Sequence, residues 1–189
     1  GVQAARADIV VLMNSDVFPD SSGWIDTLLD RLQTYSGALI APHLSYETGE
    51  LQHFGMHVGF EGSKNAPIPC NFHSFKGLHP AQLCLGVHMD GLQEPEAISG
   101  AVLAFYRDDF LYAGGFDPIF GRGDFEDLEL SLRWKRLCGP LLQDASARLI
   151  HLERQSMNVV ESDLRLWRGR FNALCALRLC PELWEANKQ

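Results

Sequence analysis

Three stretches carry residues whose type and position could support chemistry. Asp16 follows Asn14 and Ser15 directly after the unbroken apolar run Ile9-Val10-Val11-Leu12-Met13. That run reads as a buried strand of a mainly parallel sheet. Ligands of open α/β sheets sit at the carboxyl ends of the strands, where Asp16 would be. A carboxylate there can hold a divalent cation, which in turn holds phosphates. Glu126 and Asp127 follow the glycine-rich stretch Gly121-Arg122-Gly123, which would present them at a cleft. His151 ends the apolar run Leu149-Ile150, and imidazole is a common metal ligand. Each has a plainer reading: Asp16 as a helix cap, the acids as partners of a helix dipole, His151 as a structural residue.

The elements that must position these groups are readable in outline. After the turn Pro19–Gly23, Trp24, Ile25, Leu28, Leu29, Leu32 and Tyr35 recur at helical spacing. Gly37 stops that helix, and Ala38–Pro42 reads as a short buried strand. Leu44–Tyr46 and Leu51–Phe54 flank Glu47-Thr48-Gly49-Glu50, a hairpin signal. His53 and His57 stand four apart, but the intervening Gly55 argues against a helical two-histidine metal site.

Residues 61–95 lack periodicity and are expected to form an irregular loop serving as a lid or an acceptor-binding wall. Ala97–Tyr106 is strand-like, with Gly100 marking a close approach by a ligand or another backbone. Arg107–Ala113 is a short helix ended by Gly114-Gly115. Asp124–Arg136 is a helix that opens on acids and closes on bases. Leu141–Gln143 and Ala147–Leu152 read as two short strands. In the helix expected at 161–180, Leu164, Trp167, Phe171, Leu174 and Arg178 form a face that should pack on the domain or on a partner.

Composition narrows the class. The chain has 189 residues with 46% hydrophobic and 21% charged content, which suits one globular domain. A net charge of −8 argues against a general nucleic-acid binder. No apolar run reaches the ~20 residues of a membrane span. Five cysteines without a C-x-x-C pair argue against disulfides and a thiolate zinc site, and point to a reducing cytoplasm.

Taken together, the motifs resemble the inverting family-2 glycosyltransferases of the GT-A fold. Ala5–Asp8 through Leu12-Met13-Asn14-Ser15-Asp16-Val17-Phe18-Pro19 is similar to the strand bearing the family's D-x-D-type motif. Ser99-Gly100-Ala101, Gly114-Gly115-Phe116-Asp117 and Phe125–Arg133 resemble its acceptor-side elements in order. His151-Leu152-Glu153 with Ser156 is similar to its late histidine element.

The resemblance implies an α/β fold: a GT-A mixed sheet flanked by helices, without the N-terminal strands that bind the nucleotide. Residues 1–189 would then be a single, partial domain. It further implies that Asp16 and His151 bind Mg2+ or Mn2+ on the donor diphosphate. Asp127 is implied as the general base, supported by Glu126. Asn14, Ser15, Ser99, Gly100 and Arg133 are implied to contact donor or acceptor. The partners implied are a nucleotide-diphosphate sugar and a carbohydrate or lipid-linked acceptor.

The chemistry is consistent with these roles. A divalent cation stabilises charge on the departing diphosphate. A positioned carboxylate activates a hydroxyl by ~10²–10⁴ in rate. Asn14 departs from the acidic pattern and would ligate without charge. A half-sheet would expose an edge and an apolar face, so a second copy or an absent N-terminal segment is expected to cover them. The expected location is cytoplasmic, with peripheral attachment at the inner membrane face as an option. The alternatives are a non-catalytic glycan-binding or scaffolding half-domain and, third, a metal-dependent hydrolase.

Overall fold

The computed structural model describes residues 1–63, 66–82, 91–121, 123–152 and 162–183. In chain order its elements are β1 (Ile9–Met13), β2 (Val17–Pro19), α1 (Trp24–Thr34), β3 (Leu39–Ser45), β4 (Leu51–His53), β5 (Met56–Ser63) and β6 (Ala66–His73). Then come β7 (Leu92–Gln93), β8 (Val102–Tyr106), α2 (Arg107–Ala113), α3 (Glu126–Leu137), β9 (Leu141–His151) and α4 (Ser162–Leu179). Seven strands make one sheet in the order β1-β8-β3-β9-β2, with β4 added to β3 and β7 to β9. Only β3 and β9 pair in parallel; the other described pairings are antiparallel.

Side chains alternate across a strand, so neighbouring residues serve opposite layers. Leu39, Leu103, Phe105 and Leu141 pack with Phe110, Leu130 and Trp134 of α2 and α3. Ile40, Ala104 and Leu142 pack with Leu28 and Leu32 of α1. The sheet is therefore sandwiched between helices, with apolar residues on both faces. Trp134 also donates its indole N–H to the Gly37 carbonyl at 2.8 Å. Gly37 needs its missing side chain: its φ is +72°, and a Cβ would lie 2.6 Å from the Cys138 carbonyl oxygen.

The structure corrects the reading of β1. This strand lies at one end of the sheet order and pairs antiparallel with β8. Its first four residues are partly buried and Met13 is exposed; the apolar run arises because both faces are partly covered, Val10 and Leu12 on the α3 side and Ile9 and Val11 on the α1 side. Two-sided burial, not parallel pairing, produces such a run. The strands expected at 141–143 and 147–152 are one strand, β9, with a register shift against β3 between Pro42 and His43.

The segment expected to be irregular contains most of an antiparallel hairpin, β5–β6, and the short strand β7. Pro67 and Pro69 in β6 hide the alternation in sequence. A two-stranded sheet tolerates them because each strand has an edge free of ladder bonds. Residues 64–65 and 83–90, including Cys84 and His88, lie outside the described part.

The C-terminal helix forms, but the face expected to pack on the domain or on a partner does not pack on the domain. Ala173, Ala176 and Leu177 of α4 enter a core cluster with Met56, Phe120 and Leu128. The face built from Leu164, Trp167, Phe171 and Leu174 is exposed. Among the described residues, no helix is long and apolar enough to cross a membrane.

Candidate active site

Three consecutive residues, Ser99-Gly100-Ala101, tie the candidate groups together, each through its own backbone. The Ala101 carbonyl accepts the Asn14 N–H at 2.9 Å, fixing the turn that leads to Asp16. The Gly100 N–H donates to Asp127 Oδ2 at 3.1 Å. The Ser99 N–H donates to His53 Nε2 at 3.1 Å. Ser99 itself is buried, and its Oγ accepts the Ala101 N–H at 3.3 Å. The space beside Gly100 is limited: a Cβ there would lie 3.4 Å from Asp127 Cβ and 3.7 Å from Phe116 Cζ.

Asp16 and His151 meet although they are far apart in sequence. Antiparallel pairing of β2 with β9 sets Val17 opposite His151, and the Asp16 carbonyl accepts the Leu152 N–H at 3.0 Å. Asp16 Oδ1 then lies 3.4 Å from His151 Nε2. That separation suits two adjacent ligands, each about 2.1 Å from one ion. Among the described residues no three His, Cys, Asp or Glu side chains converge as a ready-made cage. Mg2+ is commonly held by one or two carboxylates together with substrate phosphates and water, and Asp16 supplies one such carboxylate. The residues present therefore fit a divalent cation shared with a substrate. Asn14 and Ser15 are exposed on the same turn.

Asp127 and Glu126 stand at the first turn of α3. Besides Gly100, the Leu128 N–H donates to Asp127 Oδ1 at 2.8 Å, so both carboxylate oxygens are held by backbone. Burial pushes the Asp127 carboxyl up, against the pull of those two N–H groups. Burial first, and then the neighbouring Asp127 charge, push Glu126 up to about 7. Glu126 Oε2 is buried without a hydrogen-bond partner among the described residues. The approach to this pair is strained: Asp124 and Phe125 have φ of 68° and 76°, a left-handed region costly for side chains of their kind.

That approach is held from behind by α4. Asn172 Nδ2 is shared among the carbonyls of Phe120, Gly123 and Asp124, at 3.0, 2.7 and 2.9 Å. Arg168 adds an ion pair to Asp124 at 3.9 Å.

Arg133 has a different place from the other candidates. Its guanidinium forks onto Glu129 at 2.7 and 2.6 Å, reaches the Gly115 carbonyl at 2.7 Å, and also bonds the Ala113 carbonyl. These contacts clamp α3 to the end of α2, and they occupy the guanidinium inside the protein. Glu153 and Ser156 lie outside the described residues.

No family model matches the chain. It is 26% identical over 152 residues to the O-antigen biosynthesis protein RfbC of Myxococcus xanthus, covering 80% of this chain and 11% of that protein. It is also 26% identical over 133 residues to the uncharacterized protein y4gI of Sinorhizobium fredii, covering 70% of this chain and 14% of that one. The chain thus spans a small part of the curated relatives it matches. The crystal structure of GalNAc-T7 with UDP, GalNAc and Mn2+ aligns with 82% of this chain and 29% of that chain, with a TM-score of 0.57 at 16% identity.

The fold is the GT-A fold.

On this GT-A sheet two positioning residues stand out that the motifs do not reveal. His53 is completely buried and anchors Ser99; in sequence it reads only as half of an unconvincing histidine pair. Asn172 is a polar residue on the buried face of α4, and such a residue must find partners inside; in sequence nothing marks that face as the buried one.

Proposed function

We propose that the chain is the acceptor-side part of an inverting, metal-assisted glycosyltransferase that moves a sugar from a nucleotide-diphosphate donor to a carbohydrate or lipid-linked acceptor. The observation that carries this reading is the Ser99–Ala101 junction, which binds the Asp16 turn through Ala101 and the Asp127 carboxylate through Gly100. A backbone that fixes both groups at once is what a single displacement between donor and acceptor needs.

In this mechanism Asp127 accepts the proton of the acceptor hydroxyl as that oxygen bonds to the anomeric carbon. The bond from that carbon to the diphosphate oxygen breaks, and its electron pair leaves with the nucleoside diphosphate. One attack from the opposite face inverts the anomeric centre. Burial raises the proton affinity of Asp127, which strengthens it as a base. Glu126 beside it disfavours a second negative charge and helps keep the pair ready to hold one proton.

Asp16 and His151 are the groups that would hold Mg2+ or Mn2+, which when bound neutralises charge on the leaving diphosphate. Asn14 and Ser15 line the donor side of the turn, and Ser99 and Gly100 form the floor between donor and acceptor. The β5–β6 hairpin serves as a wall for the acceptor.

Support also comes from the relatives, one named for O-antigen biosynthesis and one structure solved with UDP, GalNAc and Mn2+. A glycan-binding half-domain without catalysis is the second reading, favoured by the uncharged Asn14. Isothermal titration separates them. Mn2+ with a panel of nucleoside diphosphates and their sugars should bind a polypeptide that contains this chain and fail to bind its Asp16→Ala variant. Glycan binding that is indifferent to both metal and Asp16 would favour the second reading.

A further inference from the structure

Helix α4 is apolar on two opposite faces, one more than a domain helix needs. At 100° per residue, Asn172, Ala173, Ala176 and Leu177 turn into the core, where all four are buried. On the far side, Leu164, Trp167, Phe171 and Leu174 are 62%, 69%, 54% and 58% exposed. They follow one another at spacings of three and four, so they form a continuous stripe about 15 Å long. Four large apolar side chains in one exposed row mark a surface built for contact.

The charges beside the stripe identify the contact. Between Ser162 and Leu179 the sequence has four arginines, Arg165, Arg168, Arg170 and Arg178, against the single acid Asp163, in a chain whose net charge is −8. By helical position Arg170 borders one edge of the stripe and Arg178 continues it by one turn, while Arg168 at the other edge is paired with Asp124. Arg170 and Arg178 are exposed. Arginines bordering a Trp/Phe/Leu face are the pattern of a helix lying in the plane of a membrane interface, its apolar face in the headgroup region and its guanidinium groups at anionic headgroups.

A second copy suits this face less well. A two-fold contact presents the same patch to itself, and here it would set Arg170 and Arg178 against their own copies, with Asp163 the single acid of the helix. The acidic remainder of the chain is repelled by the same surface, which favours the orientation with α4 downward.

We propose that the exposed stripe of α4 docks the protein on an anionic lipid surface. The buried face of this helix holds Phe120, Gly123 and Asp124 through Asn172, so the docked helix also supports the approach to Glu126 and Asp127. The proposal extends the transferase reading, because a surface-held enzyme meets a lipid-borne acceptor. It is tested without turnover, so either can fail alone.

The test is vesicle flotation of the chain with phosphatidylcholine vesicles, and with vesicles containing about one third phosphatidylglycerol. The wild type should float with the anionic vesicles at least ~10-fold more than with the neutral ones, and less so at about 0.5 M salt. Trp167→Ser with Phe171→Ser should abolish flotation while circular dichroism stays unchanged, since both side chains are at the surface. Arg170→Glu with Arg178→Glu should remove the preference for anionic lipid. Failure of the wild type to float would overturn the proposal, as would equal flotation by the serine variant. A dimer in light scattering that the serine variant dissociates would assign the stripe to a second copy and would overturn it too.

Discussion

Gly100 donates its backbone N–H to Asp127 Oδ2 at 3.1 Å, and this bond joins the middle of the Ser99–Ala101 junction to the first turn of α3. A carboxylate fixed by two backbone donors has a defined direction for its remaining lone pairs. Asp127→Asn replaces one acceptor oxygen by an N–H2 group that must face an N–H. It also removes the base. In an active polypeptide that contains this chain, turnover should fall by at least ~10², while nucleotide-donor affinity changes by less than ~3-fold. Steady-state kinetics together with titration of the donor checks both parts, and near-normal turnover would remove Asp127 from its role.

Glu126 makes a prediction about pH. Its folded-state value of about 7 lies above the ordinary 4.5, so the folded chain holds a proton there that the unfolded chain has released. Stability from this group is therefore present at low pH and is lost as pH rises from about 4.5 through 7. Glu126→Gln should be as stable as the wild type at pH 4.5 and more stable at pH 8, by roughly 1–3 kcal/mol. Thermal unfolding at the two pH values measures this.

His53 fixes its own tautomer. Its Nε2 accepts the Ser99 N–H, which leaves the proton of the neutral ring on Nδ1, 3.0 Å from His73 Nδ1. Burial holds His53 well below the usual imidazole range. Nitrogen-15 spectra should show the Nδ1–H form persisting below pH 6.5. Below that pH the unfolded chain takes up a proton that the folded His53 refuses, so stability falls as pH falls. His53→Phe keeps the bulk but leaves the Ser99 N–H without an acceptor, which should cost about 1–3 kcal/mol and speed exchange of that amide. Unchanged exchange at Ser99 would show that the anchor is not needed.

What could be read from the sequence follows the reach of each interaction. Asp16, Gly100, Glu126 and Asp127 sit in short patterns beside strands or helix starts, and the structure ties the turn before Asp16 and the Asp127 carboxylate to one junction. His53 and Ser99 are 46 residues apart, and no local period encodes a contact of that kind. The helix at 162–179 was legible, but its orientation was not, because both faces are apolar and periodicity cannot tell which meets the core. The hairpin β5–β6 was hidden by Pro67 and Pro69, which spoil the alternation without preventing an isolated two-stranded ladder. The antiparallel setting of β1 was hidden because two-sided burial erases alternation in either sheet type.

Asn172 offers the most direct way to separate support from chemistry. Its amide reaches three carbonyls of residues 120–124 but makes no described bond to Glu126 or Asp127. Those carbonyls belong to a stretch that includes the left-handed Asp124 and leads into the left-handed Phe125, a conformation that relaxes unless neighbours hold it. Asn172→Ala should lower stability by about 1–3 kcal/mol, because buried acceptors lose their donor. Turnover should fall more than donor affinity, since the base is displaced but the Asp16–His151 pair is not. Asn172→Asp sets a carboxylate against the same carbonyls and should be worse than alanine at neutral pH, recovering partly as pH falls and the acid is neutralised. Thermal unfolding across pH compares the two variants. If aspartate were tolerated as well as alanine at pH 8, the three carbonyls would not be what Asn172 is there to hold.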